Sequence, residues 1–468
     1  MTLSLFTNSH PRAAFFLLLI LLSCTQAPIG DYFPDDFQGI VTDAEYFYGN
    51  GQVSKDTTRE VYVAQARVMA MADISSQISA DVKVEMKRHF KEIDKITGTT
   101  SEYELERSFS SINEVRTEMT LENAERTKEV EDKDFFFAEY RLSKTLYEEE
   151  INRRVTRATT RALNSYVEGI GALDNNPIKS LEYFFRAMRD ILPFMDHTLL
   201  VNDPQDDKAK IPLGTETIRM IHKIIDSVSL EPEIEKISGT VLKPIEMPAT
   251  AIVTHNNKPL ADAPIKFWFE VGNGTLVNQS RTTPDGRANS TISKIRDKQP
   301  VQLIAAELDI EQFTGDDELG KVLLELTKGL LLPRATFQLD VRSPIFSLNA
   351  SEMSLGEVVS NPLVTQSIMN IMEERIGATF TNEKSDADYS LSMRINTTEF
   401  SEAKGYYKAL VEMSFSVEED GRIIFSKNYN NISATDFSYA DASTAALRKA
   451  AKEIRESIGE EIISSLLQ

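Results

Sequence analysis

The feature that most constrains this chain stands near its start. Arg12 precedes an unbroken apolar run from Ala13 to Leu22, followed by Ser23 and Cys24. The run is ten residues long, whereas a helix crossing a bilayer needs about 20 apolar residues. It therefore reads as the apolar region of a secretory signal peptide over residues 1–23, with a small residue at the cleavage position. Cys24 is the only cysteine in 468 residues, which excludes an internal disulfide framework and a cysteine-based zinc site.

Leu21-Leu22-Ser23-Cys24 resembles the lipobox of bacterial lipoproteins. An ordinary secretory signal containing a cysteine is the alternative, but the single thiol lies at the one place a lipobox needs it. The resemblance implies cleavage before Cys24 and acylation of its thiol, which makes Cys24 the lipidation site and membrane lipid a partner. Several acyl chains on one residue anchor stably where a single chain does not. Thr25, rather than Asp, follows the cysteine, and under the resemblance this points to the bacterial outer membrane. Residues 24–39, with Pro28, Gly30 and Pro34, read as a tether. The expectation is a lipid-anchored protein whose body faces the periplasm.

Charge narrows the partners. Lys and Arg number 51 against 72 Asp and Glu, a formal charge of −21. Nucleic acid is excluded as a partner, because a phosphate backbone is held by clustered cations. Hydrophobic residues at 41% and charged residues at 26% are ordinary globular usage. The expected fold class is multidomain α+β: an α/β N-terminal domain, a helical hairpin segment, a β-sandwich and a C-terminal αββββα domain.

Residues 40–150 form the first expected domain. Ala44 to Tyr48 reads as a strand broken by Gly49-Asn50-Gly51, and 56–74 as a helix whose alanines at 64, 66, 70 and 72 pack on a sheet. Ile78, Ala80, Val82 and Val84 alternate with polar residues, which predicts a strand. Strands are also predicted near Glu114–Glu125 and over Phe135–Leu142, then a long helix from Ser143 to Leu173. This order, with Gln77-Ile78-Ser79-Ala80-Asp81-Val82 and the run from Phe135 to Lys144, resembles the Lpp-twenty-type domain of bacterial lipoproteins. The resemblance implies an envelope protein with assembly or scaffolding roles and no known chemistry.

Residues 151–234 are read as a helical segment with a tetratricopeptide-like hairpin. Its helices, 155–172 and 177–191, join at Asp174-Asn175-Asn176-Pro177; a polar loop from Lys208 and a helix over Glu216–Ser227 follow. Residues 235–342 change texture to short strands punctuated by turns. Lys258-Pro259-Leu260 to Phe269, Gly272-Asn273-Gly274 and Thr283 to Ala288 resemble a bacterial immunoglobulin-like domain of invasin type, a β-sandwich. Trp268, the only tryptophan, is expected in that sandwich's core. Residues 343–468 read as helix Pro362–Gly377, four strands, and a helix through Ala446, Ala450, Ile454, Ile458 and Ile462. This αββββα order resembles the α/β domains of outer-membrane accessory lipoproteins. The stretches 202–210, 234–240 and 343–349 are expected as exposed linkers.

No catalytic constellation is legible, and no metal ligand or cofactor site is expected. Gly315 to Val322 has the glycine and lysine spacing of a phosphate loop, but Val322 replaces the metal-binding hydroxyl and three acids would repel phosphate. The histidines at 10, 89, 197, 222 and 255 occur singly. The expected function is a non-enzymatic envelope scaffold or assembly factor, bound to envelope protein partners through the open edges and exposed sheet surfaces of the first and last domains. A surface adhesin or secretion accessory is the alternative, and an envelope glycan hydrolase a more distant one; oligomeric state stays open.

The first prediction concerns the anchor. Cys24→Ala should abolish fatty-acid labelling and release the protein from the membrane fraction; continued labelling of the variant would contradict the lipidation site.

Overall fold

The computed structural model of the protein describes residues 43–97, 123–327 and 329–467. Signal peptide, Cys24, tether and most of the strand expected at Glu114–Glu125 lie outside the described residues. The chain is a mixed α+β protein, and its contacts divide it into two compact units. Within the described residues, the first unit comprises 43–84 and 123–154, and the second 85–97 and 155–467.

The first unit is built on a three-stranded antiparallel sheet. Its strands are β1 (Tyr46–Ser54), β2 (Glu125–Glu131) and β3 (Phe135–Ser143), in the order β1-β3-β2. Gly49 and Gly51 do not break β1. They lie inside it because helix α1 (Arg59–Thr97) passes so close that a β-carbon at either would overlap the carbonyl oxygen of Ala70 or Ala66. Ala66 and Ala70 are fully buried in that approach, whereas Ala64 and Ala72 point to solvent.

The strand expected at Ile78–Val84 is absent, because α1 runs through it. Tyr62, Ala66, Ala70, Ile74, Ile78, Val82 and Met86 are buried at every fourth position, a helical stripe. Ile78 and Val82 satisfy a period of two as well as four, so the short window misled and the phase set upstream decides. Side chains from α1 also cover the free edge of β1: Gln77 Nε2 donates to the Tyr48 carbonyl at 2.6 Å, and the Asn50 N–H donates to Asp73 at 3.1 Å.

Helix α2 (Lys144–Ala172) leads into the helical hairpin with α3 (Pro177–Ile191). Asn176 caps α3 by accepting the Lys179 N–H at 3.0 Å, and Pro177 occupies the first turn, where a missing N–H costs nothing. The stretch expected as a linker at 202–210 is instead a β-hairpin, β4 (Leu200–Asp203) with β5 (Asp206–Pro212), ahead of α4 (Leu213–Asp226).

Two sheets follow. Strands β6 (Val228–Pro232), β8 (Ala249–His255) and β11 (Arg287–Ser290) belong to one, in the order β11-β8-β6. The other holds β7 (Lys236–Thr240), β9 (Pro264–Val271), β10 (Gln279–Arg281), β12 (Val301–Leu308) and β13 (Arg334–Arg342), in the order β10-β9-β12-β13-β7. Residues 228–232, assigned to the helical segment, pair with β8, and the linker expected at 234–240 holds β7, which pairs parallel with β13. Periodicity in five-residue strands is too short to be seen beside a helix.

The last sheet also departs from the expected αββββα order, since a strand precedes the helix. β14 (Ile345–Ser354) comes before α5 (Leu363–Ile376), so the linker expected at 343–349 is largely strand. β15 (Tyr389–Ala403), β16 (Tyr406–Glu419) and β17 (Arg422–Asp436) follow, with β14 parallel to β15 and the other pairs antiparallel. α6 (Tyr439–Glu453), a π-helical turn and α7 (Gly459–Leu467) close the chain.

Charged side chains lock this last domain to the five-stranded sheet and to the segment that leads into it. Asp388, 8% exposed, accepts both guanidinium arms of Arg342 at 2.7 Å, Lys243 Nζ at 3.1 Å and the Ile345 N–H at 3.0 Å. Basic residues after β11 cap helix C-termini across the same junction. Lys294 donates to the Leu466 carbonyl at 3.1 Å, Arg296 to the Leu467 carbonyl at 2.9 Å, and Lys298 to the Glu374 carbonyl. Those carbonyls have no partner in their own helix and carry the negative end of its dipole, so cations suit them.

Burial pushes the Asp388 carboxyl up, but Arg342, the Ile345 N–H and Lys243 outweigh it and bring it down to about 2. A depressed carboxyl stabilises the fold above its unfolded value and loses that contribution as pH falls toward the folded value. Asp388→Asn should therefore cost on the order of 1–2 kcal/mol at neutral pH, allowing for solvent screening of Arg342. In urea denaturation the gap between wild type and variant should shrink as pH falls from about 4 to about 2. A gap independent of pH would contradict the clamp.

Candidate functional site

The described surface that stands out is the far end of the last sheet. β15 and β16 are joined by Lys404-Gly405, both at positive φ (54° and 79°), a tight turn that matches the twist of a hairpin. Register pairs Ala403 with Tyr406 and Glu402 with Tyr407, and Tyr407 with Asp436 on β17. Alternation then splits the aromatics between two faces. Tyr407 turns toward α6, where its ring meets Tyr439 edge-on at 4.8 Å. Tyr406 takes the opposite face and packs on Phe437 at 5.3 Å, and Lys408 stands 4.9 Å from the Phe400 ring. Phe400, Tyr406 and Phe437 are 59%, 51% and 73% exposed, which is far from the usual fate of such side chains. Three exposed aromatics at one end of one sheet have the composition of an interface core.

The edges expected as contact faces are less available than the sequence suggests. β1 is covered by Gln77 and Asp73, as above. β17 is the outer strand of its sheet, but it carries two bulges, at Ile424 and at Asn430-Asn431, where its register against β16 shifts. Lys449 Nζ also reaches the Ser433 carbonyl at 3.4 Å. Bulges and edge lysines are common protections against strand addition.

Trp268 is not in a core. β9 alternates, so Ile265 and Phe267 are buried while Lys266 and Trp268 take the other face, with Trp268 half-buried. An open groove of about 430 Å³ runs past it, lined in part by Lys266, Asn278, Gln279, Glu307 and Asp309. The core position expected for Trp268 does not hold, because Lys258 to Phe269 gives the alternation but not which phase faces inward.

The remaining singled-out residues carry no chemistry together. Thr314 and Asp317 hold Arg189 of α3, whose Nη1 donates to the Thr314 carbonyl at 2.9 Å and whose other arm pairs with Asp317, close beside Gly315 (φ 85°). The loop thus receives an arginine of the helical hairpin. His197 lies 3.4 Å from Asp196; burial lowers the pKa of His222, partly offset by Asp226, and burial also lowers that of His255. His10 and Cys24 lie outside the described residues. Among the described residues, no group of three metal-ligating side chains gathers, and no helix is long and apolar enough to cross a membrane.

No protein-family model matches this chain, and no curated protein matches it. Solved structures give partial likenesses. A minor lipoprotein from Acinetobacter baumannii is 12% identical, covering 26% of this chain and 93% of its own, with a TM-score of 0.20. The D00-D0 domain of intimin is 17% identical over 25% of this chain and 48% of its own, TM-score 0.17. A Photobacterium 2,6-sialyltransferase is 14% identical over 32% of this chain and 25% of its own, TM-score 0.14. The structural neighbours thus include bacterial lipoproteins and intimin domains at low coverage, and at these scores they decide no role.

Solvent-facing aromatics contribute little to the fold. Phe400→Ala and Phe437→Ala should each change stability by less than about 1 kcal/mol in urea denaturation. A larger loss would mean that these rings are structural supports and not a free surface.

Proposed function

We propose that this chain is a lipid-anchored, non-enzymatic component of a bacterial cell envelope, held at the outer membrane through Cys24, whose body engages envelope proteins from the periplasmic side. In this reading the first unit is an Lpp-twenty-like domain and residues 235–342 are an immunoglobulin-like module. The observation that carries the proposal is the exposed trio of Phe400, Tyr406 and Phe437. Rigid aromatics provide large contact area at low entropic cost, and they rank among the residues enriched at interface centres. The −21 formal charge favours partners with basic patches and an association that weakens with salt.

A photo-crosslinking residue at position 437, introduced in intact cells, tests the surface. It should capture discrete protein partners, and Phe400→Ala with Tyr406→Ala should remove those adducts. Adducts no different from those of the same probe at Ser392, on the polar face of β15, would sink the proposal.

A further inference from the structure

We propose that the tip of the last sheet holds a cationic side chain of its protein partner against Tyr407 and Tyr439, between the carboxylates of Glu399 and Glu402. The inference rests on the proposed role of the exposed aromatics as a protein contact, and it names the group which that contact recognises. Phe400, Tyr406 and Phe437 supply the apolar area on one face of the tip. The cation goes to the other.

The strand register places the socket. Glu402 pairs with Tyr407, and Glu399 pairs with Ala409. Residues three apart on a regular strand point to opposite faces. Here both glutamates share one, because the register shifts between Glu399 and Ser401 and leaves Phe400 as an extra residue. Bulges of this kind re-aim side chains, and they are over-represented beside functional sites. The shared face is the one on which Ala409 is fully buried. There Tyr439, the first residue of α6, brings its ring to 4.8 Å from that of Tyr407 at an angle of 66°. Desolvation, then the charges of Glu399 and Glu402, push the Tyr439 phenol above the ordinary tyrosine value, so both carboxylates lie near it.

The protein's own cations leave these carboxylates open. Among the described residues neither Glu399 nor Glu402 has an ion-pair partner. Lys408 is turned onto the Phe400 ring on the opposite face, and Lys449 reaches the Ser433 carbonyl. Asp436 and Asp441 differ from the two glutamates, since each accepts a local bond, from the Phe437 N–H and from Ser438 Oγ. An aromatic ring attracts a cation over its face, and a carboxylate beside it completes a charge-assisted hydrogen bond. Two half-buried tyrosines with two unpaired carboxylates therefore suit an arginine or lysine side chain, and they repel an acidic one.

The photo-crosslinking residue at position 437 reads the socket in intact cells. Glu399→Gln with Glu402→Gln should lower the adduct yield at least about fivefold. Glu357→Gln with Glu373→Gln removes two exposed charges elsewhere in the same domain, and it should leave the yield within about twofold. In solubilised envelope, raising NaCl from about 0.05 M to about 0.5 M should weaken the wild-type adduct more than that of the Glu399→Gln, Glu402→Gln protein. Adducts that survive the loss of both glutamates, in protein whose circular dichroism matches wild type, would overturn the socket and leave the contact surface standing. An equal loss in the control pair would also overturn it, because net charge and not these groups would then be acting. Adducts no different from those at Ser392 would remove the surface itself, and the socket with it.

Discussion

The second unit depends on one buried carboxylate. Asp388 stands just before β15, yet it accepts from Arg342 at the end of β13, from Lys243 after β7 and from the N–H of Ile345 opening β14. One residue thus joins the five-stranded sheet, the chain leaving it and the sheet that follows. A carboxylate so enclosed is tolerated because a bidentate arginine, an ammonium and a backbone N–H occupy its oxygens, which offsets the cost of leaving water. Lys294, Arg296 and Lys298 repeat the logic at longer range by placing cations on the exposed carbonyl ends of α7 and α5. Together these contacts hold the last sheet, and with it the aromatic end, against the five-stranded sheet.

Much of this was legible in the sequence where the signal was local. The cap and proline at Asn176-Pro177, the glycine end of α5 at Gly377, the turn at Asp285-Gly286 and the alternation from Tyr389 to Ile395 all depend on neighbours in sequence. What was not legible depended on partners elsewhere. Gly49 and Gly51 look like chain breakers until Ala66 and Ala70 are laid against them. Ile78 to Val84 fits two periods at once. Residues 228–232 and 345–354 are short or open strands whose identity comes from pairing, to β8 in one case and to β15 in the other.

The candidate surfaces were less legible still. Phe400, Tyr406 and Phe437 are apolar residues in strand-like sequence, and composition alone assigns such residues to a core. Their exposure follows from β15 and β16 extending to a turn at Lys404-Gly405, which no spacing rule foretells. The tryptophan was misplaced for a related reason: one step of alternation decides between core and surface. Edges, by contrast, looked more available in sequence than they are, because Asp73, Gln77 and the bulges of β17 act only in the folded chain.

The five-stranded sheet and the last domain behave as one body, so that the surface presented at Phe437 is held in a fixed setting. Native-state hydrogen exchange tests it most directly. Amides of Val301–Leu308 and of Tyr389–Ala403 should exchange through a common opening with similar free energies, and those of β14 should follow with them. Independent exchange of the two strands, with Tyr389–Ala403 opening at a much lower free energy, would contradict the account.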